Sequence, residues 1–371
     1  MNETHTKLEI KSLKIPFKQS FKHLSAERSE TQTVIVIASD GALKGYGEAC
    51  PREYVTNESV QSALRFFDKL KDELQSEVIS LESLKEYHNK HRLIISRNPS
   101  AWCAIELAYL DLFAKKQACS IEKLLGLAEL EGSFNYTAVI GDGPLEMFEK
   151  TAAQYIQMGF RDFKIKISGD PTVDFPKLEL LKSLGAGICK IRLDANNLWN
   201  NIDEVIAYLK EIPVQLSGLE EPLKEKGLSR LRSLAAEIDV PIILDESFNQ
   251  LEQFSELGGQ QQDFIINLRV SKMGGLINSL AIADEARKQN MDLIIGAQVG
   301  ETSILTRAAL CVANFSKGYY KAMEGAFGTF LLEHDIVEAP LMFGQAGRLE
   351  PKLALHDGNG FQLDIKDELI H

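Results

Sequence analysis

The fold of this chain is set between residues 162 and 247, where four apolar runs follow one another: DFKIKIS (162–168), KIRLDANN (190–197), LSGLEEPL (216–223) and VPIILDES (240–247). Three of these runs end in carboxylates, at Asp194, Glu220 and Asp245, which lie 26 and 25 residues apart. That spacing is about one β-strand plus one helix, so each carboxylate is predicted at the C-terminal end of a strand in a βα repeat. In a barrel of such units, all three ends converge on one face.

These residue types indicate a metal and a base. Three carboxylates on neighbouring strands offer the hard oxygen ligands that suit Mg²⁺. Lys164 and Lys166 are two residues apart in the preceding run, so they share one face of their strand and point at the same site. A divalent cation beside a lysine pair is suited to removing a proton next to a carboxylate. A solvated pair of surface lysines is the plainer alternative, but the run is otherwise apolar.

The rest of the chain is organised around this stretch. Residues 1–125 are predicted to form an α+β domain with a strand over 7–18, a hairpin over 31–49 and helices near 57–76, 80–92 and 99–117. Over 126–339, eight strand-like runs with intervening amphipathic stretches predict a modified (β/α)8 TIM barrel of the α/β class. Residues 340–371 are expected to return to the first domain. An open doubly wound sheet is the alternative, but no Gly-rich phosphate loop follows an early strand.

Bulk composition excludes several classes of function. The 371 residues carry a net charge of −12, which argues against a nucleic-acid surface. The five cysteines are scattered without CxxC or CxxH spacing, so a zinc site and a disulfide framework are both disfavoured. The polar start MNETHTKLEIK has no apolar core of a signal peptide, and the apolar runs are far shorter than a membrane span. We therefore expect a cytoplasmic protein without membrane or nucleic-acid partners.

Taken together, the motifs resemble the enolase superfamily, in the subgroup of muconate-lactonising enzymes and dipeptide epimerases (the mandelate racemase/muconate lactonizing enzyme family). The stretch SAWCAIELAYLDLFAKKQACSIEKLLG (100–126) resembles the last helix of the family's capping domain. It is followed in order by the Lys-x-Lys strand, the LDAN, EEP and DES strand ends, and the strand that runs into Lys272-Met273-Gly274-Gly275. Each motif alone is weak, but the order at one motif per strand is specific.

The resemblance implies a mechanism and a set of roles. Asp194, Glu220 and Asp245 match the family's Mg²⁺ ligands, with one ion per subunit and Mn²⁺ as a substitute. Lys166 would take the α-proton of a small carboxylate substrate to give an enolate, with Lys164 beside it. Asn196, Glu221, Glu246 and Ser247 would orient ligands or water. Homo-oligomers, as dimers or octamers, are common among such relatives.

One position departs from the family pattern. The second lysine is expected on the sixth strand, facing Lys166, but the strand is INLRVSKMGG and places Arg269 there. Lys272 is three residues further on, an odd offset that points to the opposite face of a regular strand unless a bulge intervenes. Because a guanidinium stays protonated at neutral pH, Arg269 is a poor acid or base. It is suited instead to binding a second carboxylate or stabilising the enolate.

The seventh and eighth strands lack residues that are typical of two related groups of enzymes. The seventh strand, IIGAQVGETS, holds Gln298 and Glu301 but no histidine of the mandelate racemase type. The eighth, KAMEGAFG, has Glu324 in place of the Asp-x-Asp with which dipeptide epimerases hold the substrate ammonium. Substrate specificity is expected in two loops of the capping domain, near 15–30 and 48–60. The candidate contacts there are His23, Arg28, Arg52 and Tyr54.

Three hypotheses for the function follow. The first is a Mg²⁺-dependent lyase or cycloisomerase with Lys166 as the single base. The second is an epimerase or racemase of dipeptides or N-acylamino acids, with Lys272 or Arg269 as the second acid/base. The third is a metal and carboxylate binder without turnover, motivated by the missing lysine and weakened by the retained lysine pair.

Overall fold

The computed structural model describes residues 6–23, 26–225, 227–356 and 358–370. For residues 19–23 and 26–27 it describes the backbone only. The N-terminal part is an α+β domain. Its strands are β1 (Lys7–Leu13), β2 (Pro16–His23), β3 (Ala26–Glu30), β4 (Thr33–Asp40) and β5 (Leu43–Ala49). Its helices are α1 (Glu53–Thr56), α2 (Val60–Glu77), α3 (Leu81–Lys90), α4 (Arg92–Ile95), α5 (Pro99–Lys116) and α6 (Ile121–Leu124).

This domain contains an antiparallel sheet in the order β1-β4-β5, and β2 pairs with β3 separately. The strand predicted over 7–18 is therefore wrong as a single element. It breaks between Leu13 and Pro16, where Ile15 instead exchanges hydrogen bonds with Thr31, and Pro16 begins the next strand. The hairpin predicted over 31–49 is confirmed by the β4–β5 pairing, which places its turn between Asp40 and Leu43.

Helix α5 packs directly on this sheet through two glycines. A Cβ on Gly45 would lie 2.2 Å from the carbonyl oxygen of Ala108, and one on Gly47 would lie 2.0 Å from that of Ala104. Only glycine allows the strand and helix backbones to approach so closely. The helix is buried on all sides along most of its length, which is why its polar residues do not form a solvated stripe.

The second part is a barrel of eight parallel strands. Its strands are β7 (Ala138–Ile140), β8 (Asp162–Lys166), β9 (Lys190–Asp194), β10 (Gly218–Glu220), β11 (Ile242–Leu244), β12 (Phe264–Leu268), β13 (Asp292–Ile295) and β14 (Tyr320–Met323). Its helices are α7 (Leu145–Gln157), α8 (Pro171–Leu184), α9 (Ile202–Lys210), α10 (Leu228–Ala235), α11 (Leu276–Lys288) and α12 (Ser303–Phe315).

These strands follow one another in chain order around a curled sheet. Its two edges meet where the backbone N–H of Thr137 donates to the carbonyl oxygen of Met323 at 2.8 Å. Two 3-10 helices, Leu251–Leu257 and Gln261–Asp263, stand between β11 and β12 in place of an α-helix. The predicted modified (β/α)8 barrel is thus confirmed, and the open sheet is excluded. None of the helices in the described ranges has the length and apolar character needed to cross a membrane.

The C-terminal segment crosses back to the first domain. A short antiparallel pair joins β6 (Phe134–Asn135) to β15 (Arg348–Leu349). Further along, the backbone N–H of Phe361 donates to Asp111 on α5 at 2.8 Å, and Tyr46 on β5 donates its hydroxyl to Asp367 at 2.6 Å. The expected return of the tail is observed, while the domain boundaries at residues 125 and 339 stay predictions.

Candidate active site

A cavity of about 80 Å³ lies at the C-terminal ends of the barrel strands, under the N-terminal domain. The predicted site residues that line it are Tyr54, Lys164, Lys166, Asp194, Asn196, Asp245, Glu246, Arg269 and Glu324. The cavity also contacts Gln298 and the apolar side chains of Val139, Ala297, Val299 and Phe327. The structure therefore brings together most of the residues that the sequence singled out.

Strand register explains this convergence. In the parallel pairing, Lys166 lies opposite Asp194, and Asp194 lies opposite Glu220. Asp245 follows the last residue of β11. Because side chains alternate along a strand, Lys164 and Lys166 both project inward.

Lys164 is the buried member of the lysine pair. Its side chain is 4% exposed, and its Nζ lies 2.7 Å from Glu220, 3.1 Å from Glu324 and 3.4 Å from Asp194. Burial on its own lowers the pKa of the ammonium, but these carboxylates outweigh it and hold the pKa above its usual range. Lys164 is therefore a fixed positive charge in the wall of the cavity.

Lys166 is the member that faces the cavity. Its Nζ donates to Asp194 Oδ2 at 3.1 Å and to Asn196 Oδ1 at 3.3 Å. Asn196 in turn donates its Nδ2 to Asp194 Oδ1 at 2.7 Å. The amide thus holds both the ammonium and the carboxylate in place, which fits the orienting role expected of it.

On the opposite wall, Arg269 occupies the position where a second lysine is expected. Its Nη2 contacts Asp245 Oδ2, and its Nη1 donates to Gln298 Oε1 at 3.0 Å. Glu301 does not line the cavity but accepts the backbone N–H of Gln298 at 2.6 Å. Burial raises the pKa of the Glu301 carboxyl to about 8, against the attraction of Arg269.

Lys272 lies under the site rather than in it. Strand β12 ends at Leu268, and a turn follows in which the N–H of Met273 donates to the carbonyl oxygen of Arg269 at 2.9 Å. The Lys272 side chain is 0% exposed. It donates to four oxygens, namely both Asp245 O and Oδ1, Phe248 O and Asn267 O, at 2.6 to 3.1 Å. The turn, not strand alternation, directs it away from the cavity.

The three predicted metal ligands are buried, with Asp194 5%, Glu220 1% and Asp245 2% exposed. Cations lie between them, because Lys164 contacts both Asp194 and Glu220, and Arg269 contacts both Glu220 and Asp245. Within the described ranges, three metal-ligating atoms come within 4.8 Å of one another only at Glu73, Glu77 and His91, elsewhere on the N-terminal domain.

The donor set nevertheless fits a hard divalent cation. Burial raises the pKa of the Glu220 carboxyl, and repulsion from Asp194 and Glu324 adds to this effect against the attraction of Lys164. Additional positive charge is therefore favourable here, and carboxylate oxygens are hard ligands of the kind that bind Mg²⁺ in proteins. Glu221 supports the set, since it accepts the N–H groups of Asp245 at 2.7 Å and Ser247 at 2.8 Å. It does so from a left-handed backbone conformation with φ 40°.

Of the remaining predicted residues, some line the cavity and others do not. Glu246 lines the cavity, and burial beside Asp245 raises the pKa of its carboxyl. Arg52 is 1% exposed and does not line the cavity; it donates to the carbonyl oxygens of Gln32 at 2.8 Å and Val299 at 2.7 Å, which ties the two domains together. The His23 side chain lies outside the described residues.

Two buried polar residues in the site were not predicted. Asn267 donates its Nδ2 to Glu220 Oε1 at 3.1 Å, and Arg192 lies 3.6 Å from Glu324. Both were detectable in the sequence by one signal. Each stands two residues before a predicted site residue, Arg269 and Asp194 respectively, so it shares that residue's inward face on an otherwise apolar strand.

Comparison with known proteins assigns the family. Residues 147–368 match the model "Enolase C-terminal domain-like", and residues 2–126 match "Mandelate racemase / muconate lactonizing enzyme, N-terminal domain". The chain belongs to the mandelate racemase/muconate lactonizing enzyme family of the enolase superfamily. It is accordingly an isomerase or lyase of that superfamily.

Individual relatives span both reaction types. A hydrophobic dipeptide epimerase from Enterococcus faecalis is 26% identical over 95% of this chain and 97% of its own. An o-succinylbenzoate synthase from Listeria innocua is 26% identical over 95% of this chain and 90% of its own. A crystal structure of the E. faecalis dipeptide epimerase with Mg and the dipeptide L-Leu-L-Tyr superposes with a TM-score of 0.85. That likeness covers 97% of this chain and 99% of the other at 22% identity, and confirms the fold.

Proposed function

We propose that this enzyme removes the α-proton of a small carboxylate substrate, with Lys166 as the base. The observation that carries the proposal is that Lys166 and Arg269 line one cavity together with Asp194 and Asp245. The cofactor would be Mg²⁺, with Mn²⁺ as a substitute, held by Asp194, Glu220 and Asp245. When bound, the cation stabilises the negative charge that develops on the substrate carboxylate.

The two lysines would have different roles in the reaction. Lys166 Nζ, oriented by Asn196 and Asp194, would accept the α-proton once it is deprotonated. Lys164 remains protonated because Glu220, Glu324 and Asp194 surround it, so it contributes charge and not proton transfer. The small volume of the cavity, about 80 Å³, favours exclusion of water around the reacting atoms.

Arg269 favours reactions that need one base only. A guanidinium neither accepts nor releases a proton at neutral pH, and burial is outweighed by Asp245 and Glu220, which raise its pKa further. The proton taken by Lys166 would then be exchanged or returned on the same face of the substrate. This outcome suits a syn elimination or a cycloisomerisation, and the name of the o-succinylbenzoate synthase relative supports a lyase.

The Lys166→Ala variant tests the assignment. Because the base is removed, we expect α-proton exchange in D₂O to fall by about 10³-fold or more across a panel of small carboxylates, followed by NMR. Removing divalent cations with EDTA should abolish exchange in the wild type, and Mg²⁺ should restore it. Lys150→Ala, an exposed lysine on α7, is the control and should exchange normally.

Exchange that survives in Lys166→Ala at the wild-type rate would disprove the role of Lys166. Any substrate-dependent exchange by the wild type would also reject the third hypothesis, a binder without turnover.

The second candidate is epimerisation of dipeptides or N-acylamino acids. The names of several relatives favour it, among them the hydrophobic dipeptide epimerase and an N-succinyl-L-Arg/Lys racemase. Lys272 is poorly suited to be its second acid/base, since it is fully buried and donates to four oxygens. Incubation of single stereoisomers from a dipeptide and N-acylamino acid library, followed by chiral chromatography, decides between the candidates. Inversion of any member would favour the epimerase.

A further inference from the structure

A second cavity, of about 730 Å³, lies at the opposite end of the barrel. The residues around it include the first residues of three strands, namely Asp162 of β8, Lys190 of β9 and Asp292 of β13. It therefore opens at the N-terminal mouth of the barrel, whereas catalytic groups of such barrels gather at the C-terminal mouth. Its volume is in the range of small-molecule sites, roughly 300–1,000 Å³.

The inner wall of this cavity is apolar. Ile191, Ile265 and Ile294 are buried side chains of barrel strands, at 3%, 5% and 0% exposure. Val214 and Leu216, from the segment before β10, are partly buried and form the outer wall. A ligand with an apolar body would shield Val214 and Leu216 from water and pack against the buried isoleucines behind them.

The rim carries an excess of positive charge. Two of its cations are paired, Arg192 with Asp162 at 2.8 Å and Lys321 with Asp292 at 3.2 Å. Lys182 and Lys190 also line the cavity, and no carboxylate is paired with either one in the part of the chain that the structure describes. In a chain of net charge −12, such a local excess of cations would attract an anion.

Arg192 lies at the inner end of this charged set. Its side chain is 4% exposed, and its Nε, also buried, has no hydrogen-bond acceptor among the described residues. A buried guanidinium whose Nε has no acceptor is not fully hydrogen-bonded. The same side chain lies 3.6 Å from Glu324, so the cavity and the candidate active site share a contact.

We propose that this cavity is a second binding site, for a small molecule with an apolar body and one anionic group, either a carboxylate or a phosphate-type oxyanion. The apolar body packs on Val214, Leu216 and the isoleucine wall, and the anion meets Lys182 and Lys190, with the Arg192 guanidinium behind them. The proposal goes beyond the proposed function and does not rest on it.

A pair of fluorescent probes tests the chemistry. 8-Anilinonaphthalene-1-sulfonate has an apolar body and one anionic group, and N-phenyl-1-naphthylamine has the same body without charge. We expect the sulfonate to bind at one site per chain, at least about fivefold more tightly than the neutral probe, and to weaken as salt is raised. Equal affinity for the two probes would overturn the proposal.

Two variants locate the binding. Val214→Trp would fill the cavity and should weaken sulfonate binding by about tenfold or more. Ile188→Trp is the matched control, since Ile188 is 67% exposed in the neighbouring loop and does not line the cavity. The Lys182→Gln, Lys190→Gln double variant should weaken binding by about fivefold for each charge removed, while Lys150→Gln should not. Unchanged affinity in the double variant would contradict the proposal even if Val214→Trp does not fold.

A thiol gives a measurement independent of fluorescence. Cys189 lines the cavity and is partly exposed, whereas the other four cysteines are buried. A saturating concentration of the sulfonate probe should therefore slow the reaction of Cys189 with a disulfide reagent by about tenfold in the native protein. An unchanged reaction rate at saturation would place the probe elsewhere and overturn the proposal.

Discussion

The ends of strands β8 and β12 each supply two cations to the candidate active site, and they do so in parallel ways. On β8, Lys164 is 4% exposed and holds carboxylates, while Lys166 is 11% exposed and faces the cavity. Past the end of β12, Lys272 is 0% exposed and holds Asp245, while Arg269 is 11% exposed and faces the cavity. The two sides differ in the cavity-facing group, which is an amine on one side and a guanidinium on the other.

The buried cations and the more exposed cations therefore have different roles. The buried cation on each side neutralises carboxylates that the barrel interior could not otherwise contain. The more exposed cation on each side is the better placed to contact a substrate, and only an amine can exchange a proton at neutral pH. The site is therefore symmetric in charge and asymmetric in proton transfer.

The largest expected effect concerns the buried cation of the β12 side. Lys272→Met removes one of the two cations that contact Asp245, the other being Arg269, together with the hydrogen bonds that its Nζ donates to three backbone carbonyls. Removing one member of a buried ion pair costs about 3–5 kcal/mol, so the free energy of unfolding in urea should fall by that amount. The exposed Lys182→Met is the control and should change stability by less than about 0.5 kcal/mol. A loss of less than about 0.5 kcal/mol in Lys272→Met would show that Lys272 does not stabilise the fold by neutralising Asp245.

An intermediate effect is expected when the asymmetry is removed. Arg269→Lys places an amine on both sides of the cavity, so inversion of an α-chiral carboxylate should rise by about 10²-fold, the usual contribution of an acid/base group. Arg269→Met is the control, because it removes the guanidinium without supplying an amine. Chiral chromatography measures the outcome. Equal inversion rates in the two variants would mean that the residue at 269 does not limit the stereochemistry.

The smallest expected effect is a change of folding stability with pH, which comes from Glu301 on the Arg269 side of the site. Burial raises the pKa of Glu301 to about 8, above its value in the unfolded chain, so the folded state binds this proton more tightly. The carboxyl therefore stabilises the fold most at low pH, and this contribution is lost as pH rises from about 4.5 to 8.

Glu301→Gln has no such titration. The variant should become more stable relative to the wild type between pH 5 and pH 8, by about 1–2 kcal/mol once the partial exposure of the side chain is allowed for. Denaturant unfolding at the two pH values measures the change. Glu179→Gln, an exposed carboxylate on α8, should show no change, and a constant difference between wild type and Glu301→Gln would contradict the expected ionisation.

Much of the site was predictable because it follows strand alternation. Lys164 and Lys166, and the carboxylates at the ends of three apolar runs, stand out against their neighbours, and parallel register then brings them together. Helix α12 was harder to detect, since it is buried along nearly its whole length and has no solvated face. The 3-10 helices between β11 and β12 likewise lack the 3.6-residue period of an α-helix.

What the sequence could not supply were directions set by turns and contacts across the barrel. The prediction for Lys272 assumed a regular strand, but β12 ends at Leu268 and a turn directs that side chain beneath Asp245. The contact of Arg192 with Glu324 joins residues 132 positions apart on different strands. Neither follows from local propensity, because both depend on how the strands close around the axis.

The most direct test of this asymmetry is deuterium incorporation at the α-carbon, resolved for the two enantiomers of each carboxylate that the enzyme binds. With Lys166 as the one amine that transfers protons, we predict that the wild type incorporates deuterium from D₂O into one enantiomer, with its configuration retained. Incorporation into both enantiomers at similar rates, accompanied by inversion, would contradict the account.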